Sequence, residues 1–158
     1  MGELLIILIV VMTLVALNGL FVAAEFAIIG SSRAAMTARA EAGDILAQRI
    51  VYILDDPARL DRYVATAQLG ITFASLGLGM YGEHTLAIIF SEWLLLAGFN
   101  GLGALVTAHG LASVLVVIAI TYLHIVLGEM VPKSLALTRP LRVAIWVTPP
   151  MLVIGVIL

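Results

Sequence analysis

Between Leu4 and Ala24 the chain carries no charged side chain, and leucine, isoleucine and valine dominate the run. About 20 apolar residues are enough for a helix to cross a bilayer. Only Glu3 carries charge ahead of it, so the basic leader of a secretion signal is missing. Two more uncharged runs follow, Tyr63 to Gly82 and Leu111 to Gly128. The whole chain agrees: 63% of its 158 residues are hydrophobic, 11% are charged and the mean hydropathy is +1.17. A soluble domain carries roughly 25% charged residues. The expected fold is therefore an all-α membrane protein, a single transmembrane domain over residues 1–158. Three transmembrane helices per subunit are expected at about 4–29, 63–82 and 111–131, with juxtamembrane amphipathic helices at 31–57 and 133–158.

The connections are of different material. From Ser31 to Arg62, arginines and acids mix with alanines, and Ile45, Leu46, Ile50 and Ile53 recur at helical spacing. That pattern reads as an amphipathic helix on the membrane surface, with Asp55-Asp56-Pro57 as its stop and the next start. Leu86 to Phe99 is apolar but broken by Glu92, and reads as a re-entrant or outer-leaflet helix. Val143 to Leu158 contains Pro149-Pro150, which favours an interfacial or half-buried helix, although a fourth crossing is not excluded.

All eight basic residues fall in two places. Arg33, Arg39, Arg49, Arg59 and Arg62 follow the first span, and Lys133, Arg139 and Arg142 follow the third. Cytoplasmic connections are enriched in such residues. The expected topology puts the N-terminus outside and the C-terminus in the cytoplasm, in a multi-pass membrane protein.

Chemistry concentrates in Leu127-Gly128-Glu129-Met130-Val131-Pro132-Lys133. A carboxylate at the end of an uncharged run costs several kcal/mol unless something pairs with it, so Glu129 is a functional candidate. Proline lacks an N–H and clashes with the carbonyl four residues back. For Pro132 that carbonyl belongs to Gly128, which loses its helical partner. Hard cations take carboxylate and carbonyl oxygens of this kind. In the first span Asn18 and Glu25 project from one helix face. Glu25 could equally mark the cytoplasmic end of the span. In the second, Gln68, Thr72, Ser75 and Gly79 form one stripe. Packing explains Ser75, Gly77 and Gly79; Gln68 and Gly70 are better candidates for function, since a glutamine amide in lipid needs a partner. His124 reads as a hydrogen-bonded structural histidine. Lys133 anchors a helix end or balances Glu129.

Irregular backbone beside oxygen-bearing side chains is the pattern of a cation site in a transporter. Enzymatic chemistry is not expected: no serine or cysteine nucleophile is paired with a base, there is no His-x-x-x-His motif, and the chain has no cysteine. Two other classes compete, a structural anchor or ion sensor for a cytoplasmic regulatory region, and an intramembrane enzyme using Glu25 and Glu129 as paired acids.

Three strings carry a resemblance. Asn18-Gly19-Leu20-Phe21-Val22-Ala23-Ala24-Glu25-Phe26-Ala27, Thr66-Ala67-Gln68-Leu69-Gly70-Ile71-Thr72 and His124-Ile125-Val126-Leu127-Gly128-Glu129-Met130-Val131-Pro132-Lys133 resemble the membrane domain of the CorC/cyclin-M (CNNM) magnesium transporters, in the haemolysin-like bacterial branch. The resemblance implies a homodimer in the lipid bilayer, Mg²⁺ export in exchange for Na⁺, and a cytoplasmic CBS-pair region beyond Leu158. No nucleic-acid partner is expected. It implies a metal site drawn from Glu129, Gly128, Glu25, Gln68, Thr72 and Gly70, supported by Asn18, Pro132, Lys133 and His124, holding Mg²⁺ or Na⁺. The chain departs from the family pattern at Val22, Ala24 and Ile71, where many relatives carry serine or asparagine. Those side-chain oxygens would have to be replaced by backbone carbonyls, Gln68, Thr72 or water.

Overall fold

A computed structural model describes residues 2–83, 85, 88–89, 96 and 102–156. Among the described residues the chain is helical, with no strand. Helix α1 is Gly2–Gly30, α2 Arg33–Glu41, α3 Ile45–Leu54 and α4 Pro57–Gly77. A π-helical segment, Leu78–Glu83, extends α4. Helix α5 is Leu102–Leu123, followed by a second π-helical segment, His124–Met130, then α6, Val131–Thr138, and α7, Pro140–Ile154. The stretch expected as a re-entrant helix, Leu86 to Phe99, lies outside the described residues apart from three isolated positions.

Three helices are long and apolar enough to span a membrane: Leu4–Gly30, Pro57–Gly82 and Val114–Thr138. The second starts ahead of its apolar run, because Asp56 caps it. The Asp56 carboxylate accepts from the Ala58 N–H at 2.9 Å, and Pro57 occupies the first turn, where its missing N–H costs nothing. Arg59 and Arg62 therefore sit inside the spanning helix, at one end. Helix α7 has 15 residues. At 1.5 Å per residue it reaches about 22 Å, short of the roughly 30 Å of hydrocarbon a crossing requires.

One expectation needs correcting. The break expected at Asp55-Asp56-Pro57 is there, but the segment ahead of it is two helices, α2 and α3, rather than one. Gly43 breaks it with φ +96°, a conformation that side chains bearing a Cβ rarely adopt. Asp44 then caps α3, its carboxylate accepting from the Leu46 and Ala47 N–H groups at 3.0 and 3.1 Å.

The main core lies where the last turns of α1 meet α2, α3, α4, α6 and α7. Ala24, Ala27, Met36, Ala47, Ile50, Ala67, Ala136 and Ala144 are buried there. Alanines dominate because small side chains let helix backbones approach when lipid removes the hydrophobic drive between spans. A second cluster joins Ile7, Val11 and Val15 of α1 to Leu78. Leucines and isoleucines elsewhere on α1 and α5 stay exposed, among them Leu5, Ile9 and Ile118, as suits faces turned to lipid.

Candidate functional site

Asn18 is the hub. Only 2% of it is exposed, in the middle of the first span. Its Nδ2 donates to the Gly128 carbonyl at 2.9 Å, and its Oδ1 accepts from the Ser75 hydroxyl at 3.3 Å. Ser75 Oγ also lies 3.3 Å from His124 Nε2. One polar network therefore ties the first span to the second and third.

The Gly128 carbonyl belongs to the π-helical segment, and the local chemistry explains why. Pro132 offers no N–H and its ring would press on this carbonyl in a regular α-helix. The backbone widens, so that the Val131 N–H reaches the Val126 carbonyl, five residues back. Asn18 supplies a hydrogen bond where the Pro132 N–H is missing. A carbonyl has two lone pairs, so one remains. Close approach fixes the geometry: a Cβ on Gly128 would lie 3.0 Å from the His124 ring and 3.1 Å from Asn18 Nδ2, and one on Gly19 would lie 3.0 Å from the Pro132 ring.

Glu129 follows Gly128 and is exposed on the third span. Among the described residues, no hydrogen bond or ion pair reaches its carboxylate. Lys133 does not balance it. Its ammonium sits 4.4 Å over the Phe26 ring instead, a cation–π contact.

Glu25 and Gln68 come together. The Gln68 amide donates to Glu25 Oε1 at 3.1 Å, joining the first and second spans nearer the arginine-bearing end of α4. Thr72 Oγ1 donates within its own helix, to the Gln68 carbonyl at 2.9 Å. Gly70 has a packing reason to be glycine, since a Cβ there would lie 2.5 Å from the Phe21 ring. The expected residues thus fall into two groups, Asn18–Gly128–Glu129 with His124, and Glu25–Gln68 with Thr72. Ser75, which reads from sequence as a packing residue, proves to be the link between Asn18 and His124. The signal for it lay in the polar stripe of the second span. No group of three or more His, Cys, Asp or Glu side chains is placed to hold a metal among the described residues, so any cation here would rely on carbonyl, amide and single carboxylate oxygens.

Two capping acids at the arginine-bearing end are paired locally. Asp44 meets Arg39 Nε at 2.6 Å, and Asp56 meets Arg59 Nε at 2.9 Å. These guanidinium contacts, followed by the capping N–H groups, hold both carboxyls below the ordinary value of 3.8.

Three membrane-length helices bound by a buried polar seam define an integral membrane domain. A sequence model of the cyclin M transmembrane N-terminal domain (CNNM) matches residues 8–158, and the chain belongs to that family. The UPF0053 protein YugS of Bacillus subtilis is 32% identical over 149 residues, covering 92% of this chain and 32% of its own. The UPF0053 protein YhdP of the same organism is 34% identical over 148 residues, covering 92% and 31%. The uncharacterized protein Rv1841c of Mycobacterium tuberculosis is 37% identical over 140 residues, covering 89% and 37%. The chain spans about a third of the length of these relatives.

Proposed function

We propose that this chain is the membrane domain of a divalent-cation transporter, carrying Mg²⁺ out of the bacterial cell across the inner membrane in exchange for Na⁺. The observation that carries the reading is Glu129, an unpaired carboxylate on a membrane span, next to a carbonyl that has left the helical ladder. A carboxylate in that position serves an ion, a proton or a partner. Mg²⁺ keeps several waters and binds through one or two carboxylates, so a site with few protein ligands suits it. Glu25 and Gln68 offer the ion a second station nearer the cytoplasm. The domain works as a carrier rather than an enzyme, as half of a homodimer and in concert with a cytoplasmic CBS-pair region. The membership of the chain in the cyclin M family supports the class of cargo; Glu129 supports the place where it binds.

Flux of Mg²⁺ in proteoliposomes, with and without an opposing Na⁺ gradient, tests the reading. Glu129→Gln keeps the size of the side chain and removes its charge. Flux should fall at least ten-fold, with expression and folding unchanged. Normal flux in that variant would leave Glu129 without a transport role, and Na⁺-independent flux would remove the exchange.

A further inference from the structure

A cavity of about 240 Å³ opens between α3, the first turns of α4 and the end of α7. Arg49, Arg59 and Arg62 line it together with the apolar side chains of Ile53, Leu152 and Val156. Arg59 and Arg62 are one helical turn apart and share a face of α4. Arg59 is held in place by Asp56 and by the Tyr52 ring, 3.7 Å from its guanidinium carbon, and Asp56 offsets its charge. Arg49 and Arg62 make no ion pair among the described residues, so their charges are unmatched. Tyr63 also lines the cavity. It is 7% exposed, and its buried hydroxyl has the Thr148 hydroxyl, itself donating to the Ala144 carbonyl at 2.6 Å, as its polar neighbour.

We infer that this cavity binds the headgroup of an anionic phospholipid. The place argues for it: Pro57 begins a helix long enough to span the membrane, so Arg59 and Arg62 lie at the level where headgroups meet hydrocarbon. The chemistry argues for it as well. Planar guanidinium groups match phosphate oxygens in pairs, and the apolar side chains lining the same cavity suit a glycerol backbone and the start of an acyl chain. Size decides against a whole soluble ligand. Pockets for drug-sized molecules run to roughly 300–1,000 Å³, whereas a lipid lodges only its headgroup and leaves its chains in the bilayer. The inference rests on the membrane placement of the chain and is independent of its cargo.

Native mass spectrometry and thermal melts of the detergent-purified protein test it, with phosphatidylglycerol, phosphatidylcholine and inorganic phosphate as separate additions. Phosphatidylglycerol should stay bound and raise the melting temperature; the other two should not. Arg49→Gln and Arg62→Gln should each weaken phosphatidylglycerol binding about five-fold, the loss expected for one basic group at a lipid surface. Arg142→Gln removes the same charge outside the cavity and should leave binding unchanged. Equal weakening by Arg142→Gln would reduce the effect to diffuse surface attraction and overturn the site. Stabilisation by inorganic phosphate alone would make it a soluble-anion site, and an absence of bound phosphatidylglycerol would make it no lipid site at all.

Discussion

Two residues set the tightest constraints on the spans. Gly70 faces Phe21 so closely that any Cβ needs the ring to move. Gly70→Ala should therefore destabilise the protein by about 1–3 kcal/mol, the usual cost of overpacking. Phe21→Leu in the same chain should return part of that loss, because the clash involves the ring alone. Strictly additive losses in thermal melts of the double variant would count against the contact. Asn18 constrains through polarity. Asn18→Leu keeps the volume but takes the side-chain donor from the Gly128 carbonyl and leaves the Ser75 hydroxyl with His124 alone. Interhelical hydrogen bonds in membranes average well under 1 kcal/mol, yet a buried unsatisfied group costs more. The expected loss is about 1–2 kcal/mol, with Ser75→Ala costing less because its contacts, at 3.3 Å, are longer. A mild Asn18→Leu and a severe Ser75→Ala would reverse the order of importance in the network.

At the scale of elements, the surface helices hold together through caps that titrate. Arg39 and two N–H groups favour the charged form of Asp44 in the folded state. A carboxyl whose folded pKa lies below its unfolded value stabilises the fold above the unfolded pKa and loses that contribution as pH falls through the folded one. The window is therefore acid, from near 3.8 downward. Asp56 follows the same rule. Asp44→Asn keeps a good N-cap and removes the ion pair, so the variant should lose less helicity than the parent on acidification below pH 4 in circular dichroism. An unchanged acid profile would mean that other carboxylates set it. Much of this level was legible in the sequence. Uncharged runs marked the spans, and Asp55-Asp56-Pro57 marked the break before α4. The split at Gly43 was hidden, since Ile45, Leu46, Ile50 and Ile53 continue the apolar spacing and only the backbone conformation of one glycine interrupts it. The π-helical widening was half legible. Pro132 announced that the Gly128 carbonyl would leave the regular ladder, but only the packed fold shows the Asn18 amide donating to it. Of the two roles open to Lys133, the pairing with Glu129 is not the contact seen, because its reach to Phe26 depends on how α6 crosses α1.

The whole molecule gathers its basic residues at one end. The helices that carry them, α2, α3, α6, α7 and the start of α4, surround the last turns of α1 in a shared core. By the positive-inside rule that end is expected to face the cytoplasm, and the expectation is tested by a cysteine placed at Thr37, which should label only from the inside. The third span raises a different question. Only 11% of its membrane-length window is buried within the protomer, against 39% for the first span and 33% for the second. Lipid covers exposed leucine and valine at no cost, but it does not cover Glu129. A second copy of the chain, placing third spans side by side, would enclose that carboxylate and complete a polar cavity too large for one protomer. The purified protein should therefore have the mass of a dimer by light scattering in mild detergent. The chain lacks cysteine, so Ile125→Cys, on the exposed side of the same π-helical segment, offers a clean probe. It should form a disulfide-linked dimer under mild oxidant, whereas Tyr52→Cys, exposed on α3, should not. A monomeric protein that still moves Mg²⁺ at full rate would show that Glu129 finds its surroundings within a single chain.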